Sequence, residues 1–159
     1  MKNSFKTLVL SSVIVSVLSF PVFASPNLDM KLDSKKIVIE NKKEKLISAQ
    51  IVNPGDTILY TLNIVNKGDS AALKFEPVGN IPPKTTYIQE VNKSKDFKIL
   101  FSIDNGQTYQ EVPMIKTIEN GKPVIKKAPI SMFKKIKWSF SKAIKPNEKV
   151  SLNYKVLVK

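Results

Sequence analysis

The pattern that organises the chain lies between Val52 and Asn66, V-N-P-G-D-T-I-L-Y-T-L-N-I-V-N. Pro54-Gly55 turns the chain into this stretch, and Asn66-Lys67-Gly68-Asp69 turns it out again. Between the turns Ile58, Tyr60, Leu62 and Ile64 share one face at a period of two, while Thr57, Leu59, Thr61, Asn63 and Val65 share the other. One apolar face and one mixed face predict a strand of a sheet packed on one side.

The same period recurs along the chain. A lead-in segment, Ser25 to Asp33, precedes a predicted first strand over Lys35–Glu40, a charged turn follows at Asn41–Lys45, and Leu46–Val52 leads to the Pro-Gly turn. Ala71–Phe75 reads as a short strand, and Asn80–Lys84 as a rigid extended stretch because proline fixes φ and removes donors. Thr85–Val91 is β-branched and aromatic, and Phe97–Ile103 alternates. Asp104-Asn105-Gly106 is a strong hairpin signal, with Tyr109–Val112 expected to pair back. Pro113–Lys135 looks irregular, with Asn120-Gly121, Pro123 and Pro129 as breakers. Ile136–Phe140 carries the only tryptophan, Trp138, expected in the core. Val150, Leu152, Tyr154, Val156 and Val158 alternate to the end. About eight or nine short strands and no helix after residue 24 predict an all-β, antiparallel sandwich.

The N-terminus changes the domain count. Met1–Lys6 carries two lysines and no acid, Leu8–Phe20 is apolar, and Val22-Phe23-Ala24 offers small residues at a cleavage site. This three-part layout predicts a secretory signal peptide over residues 1–24. The apolar run is short of the roughly 20 residues of a membrane span, and the mature chain has no second such run, so no transmembrane segment is expected there. Residues 25–48 then form an N-terminal segment with the first strand, and 49–159 the sandwich. The expected location is periplasmic, cell-surface or secreted.

Several sections resemble one family. Val52 to Asp69 resembles the opening of the bacterial and archaeal conserved-repeat domain, the domain of unknown function eleven. Ile81-Pro82 with Thr86-Tyr87-Ile88, then Phe101 to Tyr109, then Ile136 to Phe140 with Ile144 to Val156, resemble its later elements. Two positions depart from its pattern: Gly79-Asn80 stands where an acid is usual before Ile-Pro, and Asn147 where glycine is usual. The resemblance implies an immunoglobulin-like sandwich of surface and envelope proteins, without assigned catalysis.

Composition narrows the chemistry. The chain has no histidine and no cysteine, which removes the imidazole base, the disulfide and the usual zinc and copper ligands. Asp56, Asp69 and Asp104 each sit in a turn, where bonding to local backbone N–H groups or a weak calcium site are the two options. Ser131-Met132-Phe133-Lys134 matches S-x-x-K of penicillin-binding enzymes without the companion motifs, and reads as chance. Lys31 or Lys36 with Asn153 could form the lysine–asparagine cross-link of some surface sandwiches, if desolvated side by side. No catalytic residue, metal ligand or cofactor is assigned, and an enzyme is not expected.

The formal net charge is +13, or +11 once Lys2 and Lys6 leave with the signal, and all 26 basic residues are lysine. Lys116, Lys122, Lys126, Lys127, Lys134, Lys135, Lys137, Lys142 and Lys145 face a single acid, Glu119, in that stretch. They form either a basic region that holds an anionic envelope glycan, lipid surface or partner, or a solvated surface that guards sheet edges. Without arginine the bidentate contacts of nucleic-acid readout are missing, so nucleic acid is not an expected partner. The expected function is an exported, non-enzymatic module with a structural or protein-interaction role in the cell envelope, with charge-driven binding as the alternative.

Overall fold

The computed structural model describes residues 24–90 and 94–159. The predicted signal segment falls, but for Ala24, outside the described residues. Among the described residues ten strands run β1 (Leu28–Glu40), β2 (Lys43–Ser48), β3 (Thr57–Asn66), β4 (Val78–Asn80), β5 (Thr85–Glu90), β6 (Phe97–Ser102), β7 (Met114–Glu119), β8 (Lys122–Lys127), β9 (Lys135–Phe140) and β10 (Lys149–Val158). One 3₁₀ turn, Ile130–Met132, is the single helical element among the described residues. The described residues are all-β, and their ladders are antiparallel.

The central strand of the larger sheet is β3, in the order β2-β1-β3-β10-β5. Its alternation is realised as read. Ile58 and Ile64 are buried, Tyr60 and Leu62 half-buried, and these even positions pair across with Val156, Tyr154, Leu152 and Val150 of β10. A second sheet, β4-β9-β6, packs on that face. It contributes Ile136 and the fully buried Trp138, whose ring lies 5.9 Å from that of Tyr154. Tyr87, Phe101 and Phe133 fill the rest with offset rings 4.5–6.0 Å apart.

Several expectations need correction. The first strand begins at Leu28, not Lys35, because Met30 and Leu32 continue its inner face and Leu28 to Ile37 pairs without a break with β3. Asn41-Lys42, both at positive φ, form a tight turn that returns the chain as β2. Ala71–Phe75 is not a strand but holds one bridge, Ala72 to Ile144. Strand β4 was hidden between two prolines. Tyr109–Val112 pairs back only through Gln110, which exchanges both backbone bonds with Phe101. The stretch expected to be irregular holds the β7–β8 hairpin, whose two-residue turn is Asn120-Gly121 at φ +50 and +74.

The two ends of the fold are tied by polar groups. Asn66 is fully buried, and its amide bonds Ser70 and Ile144 carbonyls while its oxygen accepts from Asn27 and Gly68 N–H groups. A Cβ at Gly68 would collide with the Ser25 carbonyl, so glycine is what lets the N-terminal segment lie there.

Candidate functional site

The turn carboxylates are each taken up by donors of the protein: Asp104 by near neighbours, Asp56 by one near neighbour and one distant lysine, and Asp69 by a distant backbone group. Asp104 accepts from the Ser102 hydroxyl at 2.7 Å and from the Thr108 hydroxyl and N–H at 2.6–3.1 Å. Those donors hold its pKa well below the usual carboxylate range. Asp56 accepts from Asn53 N–H and pairs with Lys36 at 2.7 Å, which lowers its pKa too. Asp69 accepts from Ser25 N–H. No cluster of three metal-ligating side chains occurs among the described residues. A carboxylate with a lowered native pKa stabilises the fold above its unfolded value of 3.8, and that contribution disappears as pH falls through the native value. Asp104→Asn will therefore be less stable than the parent at neutral pH, and the gap will close as pH drops below about 4. Thermal unfolding from pH 7 to pH 2 measures this, and a gap constant with pH would refute it.

The cross-link candidates are apart. Lys36 lies in register with Ile58 and Val156 on the inner face, whereas Asn153 aligns with Thr61 and Asp33 on the outer face. Lys31 shares that outer face, but a whole strand, β3, separates it from Asn153. Ser131 and Lys134 sit around the 3₁₀ turn instead of on an α-helix.

The nine lysines do not form one face. Lys116, Lys122, Lys126 and Lys127 are on the β7–β8 hairpin, where Lys126 pairs with Glu119. Lys137 pairs with Glu76 and lies 4.2 Å over the Tyr109 ring, and Lys142 pairs with Asp96. Lys142 and Lys145 flank the turn before β10. Lys134 and Lys135 lie beyond its far end, about 30 Å away by the rise of a ten-residue strand.

That far end gathers lysines from separate segments. Pro82-Pro83 delivers Lys84 at φ +61 into a turn closed by Thr85, which bonds the Pro82 carbonyl twice. Lys159 N–H donates to the Lys84 carbonyl, while Lys134 N–H donates to Ser102 and its carbonyl accepts from Ile81. The result is an open cavity of about 510 Å³ lined by Lys84, Lys134, Lys135 and Lys159 and by no acidic side chain. None of the four lysines has an ion-pair partner among the described residues. Sequence density pointed to Lys134 and Lys135, and nothing in the sequence linked Lys84 or Lys159 to them.

A second concavity adjoins the first, sharing Asn80 and Pro82. The second sheet is narrower than the first, and it stops at β4. Beyond β4 the inner face of β1 is uncovered: Met30 and Leu32 are 53% and 56% exposed although their register partners Ile64 and Leu62 are inside or half inside. An apolar groove of about 350 Å³ runs between β4 and this strip, walled by Tyr60, Leu62, Trp138 and Tyr154. The bonds Trp138 N–H to Pro77 and Ile81 N–H to Lys134 set the alternation of the β4 ladder. Gly79 points its backbone groups at β9, so Val78 N–H and C=O and Asn80 N–H point toward the free edge. Asn80 C=O accepts from the Tyr154 hydroxyl at 2.6 Å, and burial, with Tyr60 beside it, pushes that phenol far above its ordinary pKa. A side chain at Gly79 would press on Ile136, Tyr154 and Trp138, so glycine lets β4 lie close to the core.

Two of the other edges are treated differently. The β2 edge carries Lys43, Glu44 and Lys45, and β6 is capped by Gln110. Charge and capping of this kind block strand addition. At β4 the positions are Val78, Gly79 and Asn80.

Comparison with protein-family models, with curated proteins and with solved structures returns no match to this chain.

Proposed function

We propose that this chain is an exported, non-enzymatic immunoglobulin-like module of the bacterial cell envelope that works by holding another protein. What carries it is the unfinished second sheet: a strand edge without charge or cap, beside an apolar strip more than half exposed. Exposed backbone donors and acceptors next to apolar pockets are the apparatus of strand addition. Export rests on the three-part pattern of residues 1–24, and the immunoglobulin-like assignment on the resemblance of residues 52–69 and of the later segments. The lysine cavity favours a second reading, charge-driven binding of an anionic glycan or lipid surface.

A salt-resolved pull-down separates the two. An affinity tag inserted at the exposed Asn120-Gly121 turn leaves both concavities free. Protein recovered with the tagged chain from an envelope extract is expected to survive a wash at about 1 M salt, where the Debye length shrinks to about 3 Å. Glycan or lipid recovered at low salt alone would overturn the module reading in favour of the charged surface.

A further inference from the structure

The groove and the lysine cavity meet at Asn80 and Pro82, and they differ in chemistry: one is apolar with backbone hydrogen-bonding groups, the other cationic without an acidic side chain. We infer that together they accept one extended segment of a partner protein, whose apolar residues fill the groove at every second position and whose acidic residues enter the lysine cavity. This rests on the interaction-module reading and names the chemistry of the partner.

The occupant follows from three observations. The Pro77–Ile81 ladder leaves Val78 N–H, Val78 C=O and Asn80 N–H directed to the free edge, which an added strand satisfies. A strand there projects alternate side chains inward, over Met30 and Leu32 and toward Trp138. The indole N–H of Trp138 is buried without an acceptor among the described residues. Past Asn80 the same strand runs into Lys84, Lys134 and Lys135, which no side-chain carboxylate neutralises among the described residues. Acidic residues at that end, and not lysines, complete the site. A membrane surface or a free glycan uses the cavity but leaves the groove and edge unfilled.

Calorimetric titration of the secreted chain tests this with synthetic peptides. Two carry eight alternating valines and threonines with three aspartates, at the N-terminus of one and at the C-terminus of the other, since a strand can add in either direction. The controls replace the aspartates by lysines, or the valines by serines. At least one aspartate peptide is expected to bind, with each control at least about tenfold weaker. Leu32→Asp places a carboxylate in the groove at a position already half exposed, so the fold is kept and binding is lost. The double variant Lys84→Glu, Lys134→Glu alters two exposed side chains and should erase the preference for aspartate over lysine. Equal binding of aspartate and lysine peptides, indifference to Leu32→Asp, or no binding at all overturns the inference. So does a dimer in sedimentation that Leu32→Asp dissolves, which would assign the groove to a second copy of the chain. The high-salt pull-down tests the module reading separately, so a partner retained there while every peptide fails would remove this site and leave the module.

Discussion

Asn66→Asp will cost more stability than Asn66→Ala, although aspartate is the closer match in shape. The native side chain uses its full bonding capacity: two N–H donations, to Ser70 at 2.8 Å and Ile144 at 2.9 Å, and two acceptances, from Asn27 at 3.2 Å and Gly68 at 3.1 Å. Alanine removes all four and leaves a small void and unmade bonds, a loss of about 2–4 kcal/mol. Aspartate keeps the acceptor but turns a carboxylate oxygen toward two carbonyls in a fully buried site. An uncompensated buried charge costs about 3–5 kcal/mol, a large part of a typical 5–15 kcal/mol total. The group avoids this by holding its proton, so its native pKa rises above the unfolded value. The penalty is then absent at low pH and grows as pH rises from the unfolded pKa through the native one. Urea unfolding at pH 4 and pH 7.5 should show the aspartate variant gaining on the alanine variant in acid. An aspartate variant as stable as alanine at pH 7.5 would mean that the two carbonyls do not press on that position.

Trp138→Ala will cost about 3–5 kcal/mol, the range for aromatic truncation in a core. The ring is fully buried between β9 and β10, against Tyr154, and it also backs Gly79. Its loss therefore loosens the seat of β4 as well as the core. Trp138→Phe keeps much of the volume and has no indole N–H left to satisfy, so it should cost less than half as much. Urea unfolding of the two variants measures the difference, and equal losses would show that the space collapses around either side chain.

Trp138 and the alternation of β3 and β10 were legible because each buried face repeats every second residue within one stretch of sequence. The L-D-M-K-L-D start of β1 alternates equally well, but its inner face is half uncovered, so its apolar positions do not stand out as a buried face. Asn120-Gly121 is the strongest hairpin dipeptide, yet the flanking strands have no buried face, with Ile118 and Ile125 at 74% and 65% exposure. Without a core side the alternation carries no contrast. Asn66 was legible as a turn residue but not as a buried clasp, because its partners Asn27 and Ile144 are 39 and 78 positions away. The lysine cavity was half legible for the same reason: Lys134 and Lys135 belong to the dense run, while Lys84 and Lys159 arrive through the ladder.

The place of β10 between β3 and β5 also sets a timetable. A chain that emerges N-terminus first can form the β1–β2 hairpin early, and β1 can pair with β3. Leu152, Tyr154 and Val156, which close the core, emerge after β1 to β9. Pairings this distant in sequence make folding slow. Until β10 arrives, β3 and β5 each present an open edge toward it, and such edges invite aggregation and chaperone capture. The larger sheet is therefore completed in one late step, when β10 enters between two strands that precede it.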